Sequence, residues 1–377
     1  MKSKQSQGTQ GRVARWVIKI DSSMITGTGE ALNRWVKEIA DLHRQGVEII
    51  LVSPGAIIEG VRRLGWEGRS IGMPYLQAAA AIGQTRLVRE FESSFQSAGI
   101  QAAQILLIHE DFADHQRYLN IKNTLQTLLD LQAVPVINEN DTVSTEEIRF
   151  GDNDMIAALV ANMMGADRLI IITERETVDT RGFCVLPAEN GVKISSADDE
   201  SLLRFVGGVS EPYQKKLLNK INAAKMFALS GGITNILSGE ATHVLEGLRT
   251  GIFAGVELLP GGKKLVKHKQ WLAGHRVTRG TLVLSAEAAK TFEMNGGGIS
   301  SQGVLDVLGS FNCNEMIQVR DHADKPVAQG LSNYSSREMI QIIHNGSSSL
   351  KSDLQAHTVK ELICFQNIVL ELYNQRM

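Results

Sequence analysis

Short apolar runs alternate with helix-length segments through the first 173 residues of the chain. The segments at 30–45, 75–96, 117–131 and 154–164 carry helix-forming sequence, and an apolar run precedes or follows each of them. Apolar strands separated by helices are typical of βαβ units, whose strands form a parallel sheet that helices cover on both faces. The predicted fold class is therefore α/β, with a mostly parallel central sheet sandwiched by helices. The apolar runs are WVIKI at 16–20, VEIILVS at 47–53, IQAAQILLI at 100–108, VPVI at 134–137 and RLIIIT at 168–173.

The composition of the sequence changes near residue 255, where a Gly- and Lys-rich connector begins. Beyond it, short β-prone runs such as TLVLS, VLDVLG and EMIQVRD are separated by turns that contain Gly and Asn. This pattern predicts a second, smaller mixed-β domain, with a final strand at ELICF or NIVLEL. The predicted organisation is a disordered N-terminus at 1–13, a first domain at 14–255, a linker at 256–275 and the second domain at 276–377.

Composition narrows the class of protein. The net charge is −2 with both signs interspersed, which argues against binding of a polyanion across the whole chain. The 3 cysteines are far apart and include no Cys-x-x-Cys pair, so we expect neither a disulfide framework nor a zinc site. The N-terminal segment has no apolar core of signal-peptide length, and no window approaches the roughly 18 apolar residues of a membrane span. These features predict a cytoplasmic protein without membrane contact.

Residues 135–154, PVINENDTVSTEEIRFGDND, place a dense group of acids and amides directly after a buried strand. An α/β enzyme commonly builds its site in this way, at the carboxyl edge of its sheet. Such groups bind cationic or amino-acid substrates, hold metals, or orient lysines that hold phosphates.

Two further loops are predicted at the same edge. Lys19 ends the first strand and precedes the small-residue turn Asp21-Ser22-Ser23, and Ser53-Pro54-Gly55 follows the second strand. A lysine beside a small-residue turn is suited to meeting a phosphate through its ammonium group and nearby backbone N–H groups. Because parallel strands end at one edge, we expect all three loops to converge on one site.

The motifs IKIDSS, ILVSPGAI, AAIGQTRL, RYLNIKNTLQTLL, VPVINENDTVSTEEI and FGDND, in this order, resemble the bacterial glutamate 5-kinases of the amino acid kinase family. The second domain resembles the PUA domain that follows the kinase in many of them, and the resemblance extends over roughly residues 14–345. It implies MgATP-dependent phosphorylation of the γ-carboxylate of L-glutamate, the first step of proline biosynthesis. It also implies a homo-oligomer, either a dimer or a tetramer.

The resemblance implies a role for each site residue. The catalytic set would be Lys19 and Lys220 at the phosphates, with Asp154 holding both ammonium groups in position. Asp141 would pair with the α-ammonium group of the substrate. The substrate-binding residues implied are Pro54, Asn138, Asp141, Asp152 and Asn153, and those implied at the nucleotide are Lys19, Ser22, Thr173, Glu174 and Lys220. No metal ligand is expected from the protein, because Mg²⁺ would be held mainly by nucleotide phosphates and water.

Four departures from the family pattern lie on the phosphate side. Asp21 stands where the family has glycine, Pro54 replaces a serine, and Glu174 follows Thr173 where the family has aspartate. The glycine-rich loop upstream of Lys220 is replaced by the bulky residues 211–218. Two alternatives to the kinase follow. One is a pseudokinase that acts as a regulator or partner subunit. The other is an RNA-binding protein that uses the PUA-like domain and the basic connector at 263–269.

Overall fold

The computed structural model describes residues 13–25, 29–143, 153–174, 192–194, 211–241, 243–251, 253, 255–260, 272, 278–295, 297–345, 361–364 and 367–370. Within this part, the first domain is built on an eight-stranded sheet of order β3-β4-β2-β1-β5-β7-β8-β6. Its strands are β1 Arg15–Ile20, β2 Glu48–Val52, β3 Ala102–Leu107, β4 Val134–Glu139, β5 Arg168–Thr173, β6 Val192–Ile194, β7 Ile233–Ser238 and β8 Gly255–Pro260.

The sheet is mostly parallel, as predicted. Strand β1 lies in the middle and pairs in parallel with β2 on one side and β5 on the other. β4 continues the parallel arrangement beside β2 and β3, and β7 continues it beside β5. The pair β7–β8 is antiparallel. As a result β1, β2, β4 and β5 all end at one edge of the sheet, which is where the three polar loops begin.

Helices cover both faces of this sheet, and all four helical segments predicted from the sequence are confirmed. On one face, α1 and α3 pack with the later helix α8 against Ile18 and Ile20 of β1. On the other face, α5, α6 and α7 pack against Val17 and the neighbouring strands. The helices are α1 Gly29–Arg44, α2 Ala56–Arg63, α3 Met73–Ser97, α4 His109–Ala113, α5 His115–Asp130, α6 Asn153–Met164, α7 Glu211–Ala228 and α8 Val244–Thr250.

Two glycines allow α2 and α3 to approach each other closely. A Cβ atom at Gly60 would fall onto the backbone carbonyl of Ala79, and one at Gly83 would fall onto the carbonyl of Ala56. Helix α2 starts directly after Gly55, whose φ of 122° favours glycine. The contact with α3 therefore fixes the helix whose first turn follows the second polar loop.

Residues 211–218, which stand where the family has a glycine-rich loop, form the first turns of α7. Leu217, Ile221 and Ala224 recur at helical spacing and are all buried against the sheet. That periodicity makes a helix the stable conformation of this segment, because one stripe of the helix buries its apolar side chains. Lys220 lies on the same buried stripe.

The second domain contains a five-stranded mixed sheet of order β11-β9-β12-β13-β15, within the described residues. Its strands and helices are β9 Gly280–Leu284, α9 Ala286–Asn295, β10 Ile299–Ser300, β11 Val304–Gly309, β12 Met316–Asp321, β13 Pro326–Leu331, α10 Ser336–Asn345, β14 Glu361–Ile363 and β15 Ile368–Leu370. Both candidate C-terminal strands are present, as β14 and β15. The disordered N-terminus predicted at 1–13 lies outside the described residues except for Val13.

The two domains share a small apolar contact. Leu272, Met316 and Val369 are buried together, and Tyr118 of α5 and Leu229 pack against them. The side chain of Gln329 donates a hydrogen bond of 2.7 Å to the carbonyl of Leu272. Part of the predicted linker is therefore packed at this contact.

Candidate active site

A pocket of about 580 Å³ opens at the sheet edge where β1, β2, β4 and β5 end. This volume lies in the range of about 300–1,000 Å³ that small-molecule sites occupy. All three polar loops predicted from the sequence contribute to the pocket, together with α6 and α7. The lining residues are Lys19, Asp21, Ser22, Ser23, Pro54, Gly55, Ile57, Ile58, Asp141, Asn153, Asp154, Glu174, Lys216, Asn219 and Lys220.

Two buried lysines and one aspartate form the floor of the pocket. Nζ of Lys19 lies 2.7 Å from Oδ1 of Asp154, and Nζ of Lys220 lies 3.1 Å from Oδ2 of the same carboxylate. All three residues are at least nine-tenths buried. A buried charge is strongly unfavourable unless it is paired, so the carboxylate is what keeps two ammonium groups side by side.

Local structure explains how these three groups meet. Side chains alternate along a strand, so Lys19 points to the same face as Val17, the face that α6 and α7 cover. Asp154 lies in the first turn of α6, where the helix dipole favours a negative charge. Lys220 lies on the buried stripe of α7. A strand and two helices therefore supply one charge each.

Asp21 joins the same cluster from the turn that follows β1. Its carboxylate accepts hydrogen bonds from Lys19 and from Lys220, whose Nζ lies 3.0 Å from Oδ2. The buried hydroxyl of Thr173 donates to Oδ2 at 2.5 Å. Burial alone would raise the pKa of Asp21, but the charges of Lys19 and Lys220 outweigh it and hold that pKa well below its usual range. Asp21 is thus an ionised partner of both lysines.

The pKa of Lys19 moves in the opposite direction. Burial lowers it, and the charges of Asp154 and Asp21 outweigh that effect and raise the pKa above its usual value. The ion pair between Lys19 and Asp21 therefore persists across the neutral range. Asp21 and Asp154 contribute two negative charges against the two ammonium groups.

Asp141 lies on the substrate side predicted from the sequence, and it is buried. Burial, together with the nearby charge of Glu139, raises the pKa of Asp141 to about 7. A carboxylate with this pKa gains from a cationic partner, because an ammonium group would remove the cost of burying the ionised form. Asp141 is therefore suited to binding a cation from solution.

Asn138 is buried near the end of β4 and is held by an amide of α3. Its Nδ2 donates to Oε1 of Gln84 at 2.8 Å, and its Oδ1 accepts from the backbone N–H of Glu139 at 2.8 Å.

Asn153, which precedes Asp154 in the chain, lines the pocket and is buried. Its Oδ1 has no hydrogen-bond partner among the described residues. A buried amide oxygen without a partner marks a position where a ligand donor would be stabilised.

A second ion pair lies at the mouth of the pocket. Nζ of Lys216 is 3.0 Å from Oε2 of Glu174, and the same ammonium group lies 5.4 Å from the ring centroid of Tyr213. Lys216 precedes Lys220 by one helical turn, so the two lysines lie on the same side of α7. Residues 211–218, although helical, thus bring a lysine to the pocket.

Most of the predicted site residues meet at this pocket. Asn138 and Thr173 do not line it; Thr173 donates a hydrogen bond to the lining residue Asp21, and Asn138 donates one to Gln84. Asp152 lies outside the described residues. Sequence reasoning missed Gln84, Asn219 and the apolar wall that Ile57 and Ile58 form. Gln84 lies in the motif AAIGQTRL, but a glutamine within a predicted helix does not by itself indicate a role in a site. Only the fold places Gln84 beside Asn138 at the end of β4.

The fold and the pocket define an α/β protein in which two buried, carboxylate-paired lysines share a pocket with Asp141 at one edge of a mostly parallel sheet. The sequence matches the amino acid kinase family over residues 14–236 and the PUA domain over residues 280–354. The chain belongs to the amino acid kinase family.

Proteins with similar sequences include bacterial glutamate 5-kinases. The glutamate 5-kinase of Ectopseudomonas mendocina (strain ymp) is 44% identical over 362 residues, which are 94% of this chain and 97% of that protein. The glutamate 5-kinase of Pseudomonas putida (strain W619) has the same identity and coverage. Among solved structures, the carbamate kinase from Giardia lamblia bound to AMP-PNP is 16% identical, with a TM-score of 0.45 over 66% of this chain and 99% of that one.

Proposed function

We propose that this protein transfers the γ-phosphoryl group of ATP to the γ-carboxylate of L-glutamate, which gives L-glutamyl 5-phosphate for proline biosynthesis. The observation that carries the proposal is the pair of lysines that Asp154 holds at the floor of a pocket also lined by Asp141. The similarity to glutamate 5-kinases over 94% of the chain supports the choice of substrate.

The chemistry needs positioning and charge neutralisation more than proton transfer. An oxygen of the γ-carboxylate forms a bond to the γ-phosphorus, the bond from that phosphorus to the β–γ bridging oxygen breaks, and ADP leaves with the electron pair. The attacking carboxylate is already ionised at neutral pH, so no general base is required. Lys19 and Lys220 neutralise the transferring oxygens, which otherwise repel the attacking carboxylate.

The opposite side of the pocket orients the amino acid. Asp141 takes the α-ammonium group of glutamate, and Oδ1 of Asn153, which has no partner among the described residues, accepts a further hydrogen bond from it. Asn138 is held in one orientation by Gln84. Ser22 and Glu174 border the nucleotide with the two lysines, and Thr173 acts through Asp21. Pro54 and Asp152 complete the substrate side in this proposal.

The residues present fit a magnesium ion that arrives with the nucleotide. Among the described residues, no three His, Cys, Asp or Glu side chains form a cluster that could hold a metal by themselves. Mg²⁺ commonly takes one or two carboxylates together with phosphate oxygens, and Asp21 is a carboxylate of the pocket that lies in the turn after β1. When bound, the ion supplies charge neutralisation at the phosphates.

A hydroxamate assay tests the proposal directly. Purified protein with MgATP, L-glutamate and hydroxylamine is expected to yield γ-glutamyl hydroxamate, and Lys19→Ala is expected to yield none above background. D-glutamate and L-aspartate serve as substrate controls. A wild-type signal no higher than that of Lys19→Ala would overturn the proposal.

The hydroxamate assay, calorimetry and filter binding together separate the alternatives. A pseudokinase would bind glutamate, as measured by calorimetry, and would give no hydroxamate. RNA binding would appear as retention of tRNA on a filter at physiological salt, although the basic connector at 263–269 lies outside the described residues. Neither alternative gains support from the similar proteins.

Assembly into a dimer or tetramer stays a prediction, which sedimentation would test. Among the described helices none has the length and apolar character of a membrane span.

A further inference from the structure

Asp21 occupies the position between the two lysines from which a phosphate group would be bound. Its Oδ2 lies 3.0 Å from Nζ of Lys220, its Oδ1 accepts from both ammonium groups, and the buried hydroxyl of Thr173 donates to Oδ2 at 2.5 Å. A carboxylate and a phosphate present similar oxygen acceptors to an ammonium group. Asp21 therefore satisfies the contacts that a phosphate would make with these lysines.

Asp154 closes the cluster from the opposite side, at 2.7 Å from Lys19 and 3.1 Å from Lys220. Each ammonium group has three donors, and two carboxylates already accept from it. The four side chains carry two positive and two negative charges, so the floor of the pocket is neutral as a unit. These four side chains therefore exert no net electrostatic attraction on a polyphosphate that carries no cation.

The remaining charges of the described lining add no net positive charge. Lys216 is paired with Glu174 at 3.0 Å, and Asp141 adds a carboxylate on the substrate side. Every lysine that lines the described pocket thus has a carboxylate partner. Protonation does not release Asp21 either, because the neighbouring lysine charges hold its pKa well below its usual range despite burial.

We propose that Asp21 makes nucleotide binding at this pocket depend on a divalent cation. Without the cation, Asp21 competes with the phosphates for Lys19 and Lys220. With the cation, the carboxylate of Asp21 has a cationic partner of its own, and both lysines are released to the phosphates. The inference rests on the proposed function only in taking the pocket's ligand to be a nucleotide.

Calorimetry with ADP tests this inference in the full-length protein. Affinity is measured with excess EDTA and with excess Mg²⁺ for the wild type, Asp21→Asn and Asp21→Gly. In EDTA, both variants are expected to bind ADP about tenfold or more tightly than the wild type, because an opposing charge at hydrogen-bond distance is removed. The ratio of the two dissociation constants, EDTA over Mg²⁺, is expected to fall by a similar factor.

A matched control removes one negative charge far from the pocket. Asp324 is exposed in the second domain and has a φ of 63°, which asparagine tolerates, so Asp324→Asn changes the net charge without strain. It is expected to leave the EDTA-to-Mg²⁺ ratio at the wild-type value. Melting temperatures of all variants confirm that each is folded.

Three results would overturn the inference. The first is that neither Asp21 variant binds ADP more tightly than the wild type in EDTA, or that no variant shows ADP binding in EDTA. In another, the wild type binds ADP equally well with and without Mg²⁺. The third is an equal gain by Asp324→Asn. The hydroxamate assay is independent of these results, since it reports phosphoryl transfer, so failure of the proposed function and failure of this inference are distinguishable.

Discussion

The side-chain amide of Asn138 donates a hydrogen bond of 2.8 Å to Oε1 of Gln84, which joins the end of β4 to the middle of α3. Asn138 is buried, and its other amide atom accepts from the backbone N–H of Glu139. Both ends of the Asn138 amide are therefore fixed before any ligand binds. Such preorganisation lowers the cost of ordering a binding residue.

Replacing Gln84 is expected to weaken glutamate binding selectively. Gln84→Leu should raise the KM for glutamate roughly five- to tenfold, because a lost hydrogen bond in a buried network costs about 1–1.5 kcal/mol. The KM for ATP should stay unchanged. Steady-state kinetics in the hydroxamate assay measures both constants. Thr85→Ala, at the next and exposed position of α3, is the control, and an equal effect there would contradict a specific role for Gln84.

Asp141 should give glutamate binding a pH dependence near neutrality. Because its pKa is raised to about 7, the ionised form that pairs with an ammonium group becomes populated as the pH rises through that value. Glutamate affinity measured by calorimetry should therefore increase between pH 6 and pH 8, both within about a unit of this pKa. Asp141→Asn should bind glutamate weakly and show a flat profile over the same range. A wild-type profile equally flat would contradict the assignment.

The same shift affects stability in a defined direction. The folded-state pKa of Asp141 lies above the value of 3.8 that the group has when exposed, so between these values the folded protein binds more protons. The contribution of Asp141 to the free energy of unfolding should thus decrease as the pH rises from about 4 to about 7. Denaturant unfolding at several pH values should show Asp141→Asn losing less stability over this range than the wild type.

Lys220 should be required for the chemical step. Lys220→Met should reduce kcat by about 100- to 1,000-fold, the range seen when one charge-stabilising contact to a transition state is removed. Single-turnover measurements would separate this loss from a change in ATP affinity. Lys215→Met, at an exposed position of the same helix, is the matched control. If both variants lost activity equally, Lys220 would have no special role.

Gly60 should be needed for the packing that supports the pocket. Gly60→Ala places a Cβ atom against the backbone of Ala79, and we expect a loss of roughly 2–3 kcal/mol in the free energy of unfolding, since neither helix backbone can yield cheaply. Chemical denaturation measures the loss. Gly72→Ala is the control, because that position has a φ of −75° and open space for a side chain. A similar loss at both positions would contradict the packing argument.

Periodicity in the sequence was sufficient to predict the architecture. The apolar strands and the helices between them all appear close to their predicted positions, because burial of an apolar face depends on the local pattern of residues. The conformation of the segment 211–218 was not predicted, because it was considered only as the replacement for the family's glycine-rich loop. Leu217, Ile221 and Ala224 have helical spacing, and the segment begins α7.

The residues of the site divide in a similar way. The strand-end residues Lys19 and Asp141, and Asp154 in the first turn of α6, were identifiable from the sequence, because the carboxyl ends of parallel strands share one edge. Gln84 was not identifiable as a site residue, since its partner Asn138 is 54 positions away in the chain.

The sequence by itself determined the α/β class, the central strands, the family and most residues of the pocket, since these follow from local periodicity and from motifs. Tertiary structure alone decided what those residues do to one another. In the sequence Asp21 is only a departure from the family's glycine, and in the fold it pairs with both lysines and with Thr173. The physical reason is that ion pairing depends on distance and burial, which for side chains of three different elements are set only when the sheet and helices pack together.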